Sequence, residues 1–255
     1  MLAPLEGRHA LVTGGGTGIG ASIARALGAA GAAVTLVGRR EAPLADVARG
    51  LPRVHVAVAD VTDRAQLAAA FASAARVFGP PDIVIANAGA AETAPFARIT
   101  ADAWRRMMAL NLDAVFDTAQ VALPGLRAAA DGRLIVIAST AGVRGYAYTA
   151  AYTAAKHGAV GLMRALALEL TGTTVTVNAI CPGFTDTELV AGAVANIVSR
   201  TGRSTEQTVE ELVRHNPQGR LIDPDEVAAA VLWLCAPASR SITGQTIMIA
   251  GGEVM

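Results

Sequence analysis

The 255-residue chain has no excess of charge of either sign, since 21 lysines and arginines face 21 aspartates and glutamates. A protein that grips nucleic acid by neutralising phosphates needs a basic stripe, so no nucleic-acid partner is expected. Cysteine is scarce as well. Cys181 and Cys235 make neither a metal-ligand spacing nor a disulfide framework, and no metal is expected. No apolar run reaches the roughly 18 residues of a membrane span, and the run Val227–Ser239 contains Pro237 and stops at Arg240. The hydrophobic fraction of 53% is inflated by 56 alanines, which supply no span. Met1–Arg8 lacks the basic region, apolar stretch and cleavage site of a secretory signal. Linkers, low-complexity tracts and internal repeats are missing too. The expectation is a globular, cytoplasmic protein with one domain over residues 1–255.

What the chain does have is alternation. Short apolar runs at His9–Thr13, Ala33–Val37, Val54–Val58, Ile83–Ala86, Leu134–Ala138, Val175–Ile180 and Thr246–Ile249 read as strands. Between them, Ala21–Ala30, Pro43–Arg49, Asp63–Val77, Thr100–Leu126, Thr149–Leu170 and Pro224–Cys235 read as helices. Strands buried on both faces and joined by helices predict a seven-stranded parallel sheet in a three-layer, doubly wound α/β Rossmann domain. The exception is Cys181–Asp223, some forty residues with no strand. An insertion that long is usually functional, and a substrate lid is expected at 186–216.

The first strand runs into a glycine cluster, with Gly14, Gly18 and Gly20 framing Thr17 and Ile19 before a helix begins. In that context glycines let the backbone turn sharply, approach a pyrophosphate and bring a helix close to the sheet. A tight βα turn with no ligand is the plainer alternative. The second strand ends at Arg39 and Arg40, where an NAD-binding site would carry a carboxylate for the ribose 2′-hydroxyl. A guanidinium there can bond and neutralise a 2′-phosphate, so NADP(H) is expected over NAD(H).

Further along come Asn87, Ala88 and Gly89, then Asn111, Ser139, and Tyr152 with Lys156 four residues on, followed by Pro182, Gly183 and Thr185. With the glycine spacing, these residues in this order resemble the short-chain dehydrogenase/reductase family over nearly the whole chain. The resemblance implies that Asp60 and Val61 clamp the adenine and that Asn87, Ala88 and Gly89 line the cofactor site. It also implies that Pro182, Gly183 and Thr185 meet the nicotinamide. Tyr152 would be the general acid that protonates a carbonyl oxygen as hydride arrives. Ser139 would bond the same oxygen, Lys156 would hold the ribose and favour the phenolate, and Asn111 would position a relay water.

Physical chemistry agrees with that assignment. A free phenol titrates near ~10, too high for work at neutral pH, and a nearby ammonium favours the phenolate. Residues four apart share a helix face, and only Tyr152, not Tyr146 or Tyr148, has a lysine there. Alone, Ser139 reads as a turn or N-cap residue. Asn111 interrupts the apolar face of Leu110 and Leu112, an odd place for an amide that bonds nothing.

The stretches around Ser139, Lys156 and Cys181–Phe184 resemble ketoreductases of 3-oxoacyl thioesters and polyketides, with Phe184 beside Ser139 and Tyr152 as a substrate contact. Carrier-docking relatives present cations before the fifth and sixth strands; here Ala128–Gly132 and Thr171–Thr174 have none, which argues against acyl carrier protein. A CoA thioester or a free ketone then stands as substrate. The alternatives are an NAD-linked 3-hydroxyacyl-CoA or alcohol dehydrogenase and a catalytically silent, dinucleotide-sensing scaffold. The resemblance further implies a homotetramer.

Overall fold

A computed structural model describes residues 5–255, the side chains at 196 and 200 excepted. Of the opening stretch read above for a secretory signal, residues 1–4 lie outside the described residues. Seven parallel strands form one sheet in the order β3-β2-β1-β4-β5-β6-β7: β1 (His9–Thr13), β2 (Ala33–Gly38), β3 (Val54–Val58), β4 (Ile83–Ala86), β5 (Arg133–Ile137), β6 (Thr176–Pro182) and β7 (Thr246–Ile249). The chain winds outward from β1 to β3, then returns to pair β4 on the other side of β1. That reversal leaves a crevice at the carboxyl ends of β1 and β4, where such sheets bind ligands.

Both faces of the sheet are apolar because successive side chains alternate between two cores. Ala10, Val12, Ile83, Ile85, Ile135 and Ile137 pack under α1 (Gly18–Ala29), α2 (Glu41–Ala48) and α9 (Pro224–Cys235). Leu11, Val84, Leu134 and Val136 pack under α3 (Arg64–Phe78), α5 (Ala114–Ala128) and α6 (Ala150–Glu169). Each such aliphatic side chain taken fully from water contributes about 1.5–3 kcal/mol. At the amino ends of the strands, away from the crevice, Arg133 is fully buried. It donates to Leu234 O (3.1 Å) and Gly132 O (3.0 Å) and sits 2.5 Å from Asp131.

Three details depart from the expected outline. The helical pattern at Thr100–Leu126 is α4 (Ala101–Met108), one wide π turn at Ala109–Asp113, and α5. The fifth strand begins at Arg133 and stops before Ala138. The insertion starts at Gly183 rather than Cys181, because Cys181 and Pro182 pair with Met248 and Ile249 and so belong to β6. The insertion folds as α7 (Glu188–Thr201) and α8 (Thr205–Val213). Its base is closed by a parallel bridge between Thr185 and Ile222, with bonds from Ile222 N to Phe184 O (2.8 Å) and Asp186 N to Ile222 O (2.9 Å).

Candidate active site

The crevice begins at the glycine loop, which the end of β4 holds from behind. Thr13 Oγ1 accepts the amides of Asn87 (3.0 Å) and Ala88 (3.1 Å), and Asn87 Nδ2 donates to Thr13 O (2.9 Å) and Gly14 O (3.3 Å). Asn87 therefore fixes the loop with its amide, while Ala88 and Gly89 line the cleft itself. Gly14 has φ +66°, and a Cβ there would stand 2.8 Å from Asn87 Nδ2; one at Gly20 would collide with Gly14 O. The loop is built to be side-chain-free. Thr17 precedes α1 without capping it through its side chain, and the first turn holds no acidic residue. First-turn N–H groups left without a side-chain acceptor suit a pyrophosphate.

From this floor the groove runs to Gly38, Arg39 and Arg40 at one end and to Ala90 and Leu110 at the other, with Val61 in its wall. Arg39 is 70% exposed and only 3.9 Å from Asp60 Oδ2, a loose pairing that leaves its guanidinium free to turn. Asp60 Oδ1 accepts from Thr62 N (2.9 Å) and Thr62 Oγ1 (2.7 Å), while Asp63 caps α3. Asp60 is thus a turn residue at the groove's edge. Ile19 is half-buried and packs into the core beneath the loop. The groove fits a dinucleotide with an anionic group at the arginine end.

At its other end the catalytic candidates converge. Ser139, the N-cap of a short 3₁₀ turn at Thr140–Gly142, accepts from Ala141 N (3.1 Å) and stands beside the Tyr152 phenol. Tyr152 and Lys156 stand one turn apart on α6, with Nζ 5.7 Å from the ring centroid. The ammonium donates to Ile137 O (3.0 Å) and is 3% exposed. Asn111 is fully buried inside the π turn. Its Nδ2 donates to Ala90 O (2.9 Å) and Met107 O (3.2 Å), and its Oδ1 accepts from Ala90 N (3.3 Å). The polar residue on an apolar face is explained: the wide turn carries it across to the loop after β4. The Cβ that Gly89 lacks would lie 2.8 Å from Asn111 Oδ1 and 3.4 Å from Lys156 Nζ, so both polar atoms border one small space.

Burial sets the electrostatics. It brings the Lys156 ammonium down to about 8, with Cys181 pulling weakly the other way. It pushes the Tyr152 phenol up, the nearby Ser139 side chain opposes the rise and Cys181 adds to it. In the ligand-free chain the lysine thus does not bring the phenol below its ordinary value, contrary to the expectation from their spacing. Burial sets the direction of the shift there. Tyr146 is tied to Thr140 and Glu253, and Tyr148 is 64% exposed, so neither sits beside the lysine.

The nicotinamide-side residues divide. Pro182 ends β6 and Gly183 follows it, but Thr185 is buried with its hydroxyl donated to Gly183 O (3.0 Å). Sequence reasoning passed over Thr187, whose Cγ2 lies 3.0 Å from where a Gly18 Cβ would be. Thr187 caps α7 and packs directly against the glycine loop at Gly18. Its cue in the sequence was a threonine ahead of an acidic helix start. Phe184 stands edge-on to Tyr146, with ring centroids 6.3 Å apart. Lys156 is the only lysine in the chain, a signal that spacing alone did not use. Among the described residues no cluster of His, Cys, Asp and Glu could hold a metal ion, and no helix is long and apolar enough to cross a membrane.

Comparison with known proteins places this geometry among relatives. The family model described as short chain dehydrogenase matches residues 8–198. A D-beta-hydroxybutyrate dehydrogenase of Cupriavidus necator is 38% identical, the match covering 98% of this chain and 99% of the relative. An acetoacetyl-CoA reductase of Shinella zoogloeoides is 35% identical over 96% of this chain and 98% of its own. A crystal structure of an actinorhodin polyketide ketoreductase variant with NADPH superposes with TM-score 0.92 at 33% identity, covering 99% of both chains.

Proposed function

The chain belongs to the short-chain dehydrogenase family, and from that membership we propose that it is an NADP(H)-dependent oxidoreductase interconverting a ketone and a secondary alcohol. The observation that carries the reading is Tyr152 beside the buried Lys156 one helical turn away, with Ser139 next to the phenol, at the end of a groove floored by glycines. Gly14, Gly18 and Gly20 with Thr17 would hold the pyrophosphate, Arg39 and Arg40 a 2′-phosphate, and Lys156 with Gly183 and Thr187 the nicotinamide end. When bound, that cofactor supplies or takes up the hydride. Tyr152 Oη gives its proton to the carbonyl oxygen in reduction and takes it back in oxidation. Ser139 Oγ bonds the same oxygen and steadies its developing charge. Lys156, at about 8, is mostly an ammonium at neutral pH and favours the phenolate that Tyr152 leaves behind. Asn111 and Lys156 flank the space at Gly89 through which a water can return that proton.

The relatives' names, D-beta-hydroxybutyrate dehydrogenase and acetoacetyl-CoA reductase, support a 3-oxo substrate, and we place a CoA thioester beside a free ketone. Of the two arginines nearest the stretch before β5 only Arg127 reaches the surface, which supports the reading that an acidic carrier protein is not the partner. Arg133 is fully buried, and Arg127 lies 4.0 Å from Glu169. We assign α7 and α8 to the lid, the tetrad to Asn111, Ser139, Tyr152 and Lys156, and the assembly to a homotetramer. Two free, buried cysteines suit the cytoplasm.

The test is a panel of ketones, 3-oxo acids and 3-oxoacyl-CoA thioesters with NADPH and NADH, followed at the nicotinamide absorbance. Turnover with NADPH is expected. Preference for NADH moves the chain to the NAD-linked dehydrogenases, and binding of either cofactor with no turnover of any substrate makes it a sensor.

A further inference from the structure

Tyr146 and the C-terminal Glu253 meet across 107 residues of sequence, with Tyr146 Oη 2.7 Å from Glu253 Oε1 and 2.7 Å from Thr140 Oγ1. A phenol carries one proton and an ionised carboxylate only accepts, so Thr140 donates to Tyr146 and Tyr146 to Glu253. The Glu253 side chain is 2% exposed, a costly place for a carboxylate without partners. Its second partner is Arg144, whose Nη1 donates to Glu253 O (3.2 Å), lies 4.0 Å from Oε1, and whose guanidinium stacks 5.0 Å over the Tyr146 ring. On its third side, Oε2 would stand 3.1 Å from a Cβ on Gly183. The terminal turn thus touches the loop between Ser139 and Tyr152 and the loop that follows β6.

We propose that Glu253 is a positioning residue for the substrate half of the site, holding Tyr146 and Thr140 against the turn capped by Ser139 and fixing Gly183 and Phe184 on the opposite wall. Thr140 is the residue after Ser139, so a carboxylate that anchors Tyr146 also anchors the turn that aims the Ser139 hydroxyl. Phe184 in turn packs edge-on against the ring that Glu253 holds. Burial and the carboxylate together raise the Tyr146 phenol well above its ordinary range, so it stays a neutral donor and is no second acid. The groove's arginine end and its glycine floor make no contact with this cluster among the interactions described above. Its loss should therefore be felt mainly by the ketone, since of the residues assigned to the dinucleotide it touches Gly183 alone. The inference rests on Ser139 and Tyr152 being the carbonyl-binding pair.

The test uses Glu253→Ala, Glu253→Gln and Tyr146→Phe in the full chain, with NADPH and the best ketone or thioester of the panel. Glu253→Ala and Tyr146→Phe should each raise KM for the ketone about five- to tenfold while KM for NADPH stays within roughly twofold. The double variant should be no worse than the weaker single, because both act through one contact. Glutamine keeps an acceptor for Tyr146 and should recover most of the loss. Hydrogen exchange reads the same contact without turnover: amides of residues 140–149 should exchange about tenfold faster in both single variants, while those of residues 14–20 do not change. Faster exchange beside a wild type that turns nothing over would keep the positioning role and defeat the reaction. Wild-type turnover with unchanged ketone KM and exchange in both variants overturns the proposal, as does an NADPH KM that rises in step or single effects that multiply. Tyr146→Phe removes one oxygen atom and decides the matter if Glu253→Ala does not fold.

Discussion

A single proton donor and a single ammonium carry the proposed chemistry, and each makes a separate prediction. Tyr152→Phe keeps the ring and deletes the proton, so kcat should fall on the order of 10²-fold or more while NADPH binding survives. Stopped-flow reduction with a fluorescence titration of the cofactor separates the two effects; a variant that keeps most of its turnover would falsify the assignment. Lys156 is the chain's only lysine, so protein labelled with ¹³C at lysine Cε gives one resonance. Its titration midpoint should fall at about 8 rather than at the ordinary 10.5, because burial disfavours the charge. The linkage has a definite sign. Between those two values the unfolded chain holds a proton that the folded chain has released, so stability rises with pH through that window. Lys156→Met, measured by urea unfolding, should lack this rise. Arg39 makes the third prediction. It is exposed and loosely paired, so Arg39→Asp should move kcat/KM from NADPH towards NADH. Much of this was legible before any coordinates, because Tyr152 and Lys156 are tied by helix geometry and Arg39 by its place after a strand. Glu253 was not, since no periodicity links it to Tyr146, nor was the bond that ties the Thr185 hydroxyl to Gly183 O.

At the scale of elements, apolar runs of four to seven residues fixed the strands because both faces of this sheet are buried. The parallel, doubly wound sheet followed from alternation of strands and helices, whereas register and the place of the reversal at β1 come from the structure. The π turn did not. A five-residue widening leaves the apolar period almost intact and shows only as one misplaced amide. Asn111→Ala should therefore cost both stability and rate: two half-buried backbone groups at Ala90 lose their partner, about 1 kcal/mol by denaturant unfolding, and the space at Gly89 loses one wall. The lid makes the other prediction at this scale. Its base is pinned at Phe184, Asp186 and Ile222, whereas Leu189 on α7 is exposed and, among the described side chains of α7 and α8, few are buried. Hydrogen exchange should be fast over 187–216 in the apoenzyme and slow there when NADPH and a substrate analogue bind. Exchange that is already slow and does not respond would make the pair of helices scaffold.

The whole molecule leaves large apolar groups in water: Trp104 on α4, Phe116 on α5, Leu168 on α6 and Trp233 on α9 are 41%, 45%, 74% and 45% exposed. Scattered singly such residues need no explanation, but here three lie on the consecutive helices α4, α5 and α6. The homotetramer inferred from the family resemblance pairs α4–α5 and α6 with their copies about a two-fold axis, which would cover Phe116 and Leu168. In an isologous interface every contact occurs twice, so one charged substitution is felt at two places. Light scattering at micromolar concentration should give about four times the 25.9 kDa chain mass. Phe116→Glu combined with Leu168→Glu should break the contact on that axis and leave a smaller species, while Trp233→Glu, on the far layer, tests whether α9 makes a second axis. The double variant should keep its cofactor groove, since neither residue lines it, so NADPH binding measured alongside distinguishes a lost interface from a lost fold. A wild type that scatters as a monomer removes the tetramer and leaves the apolar helices to be explained otherwise.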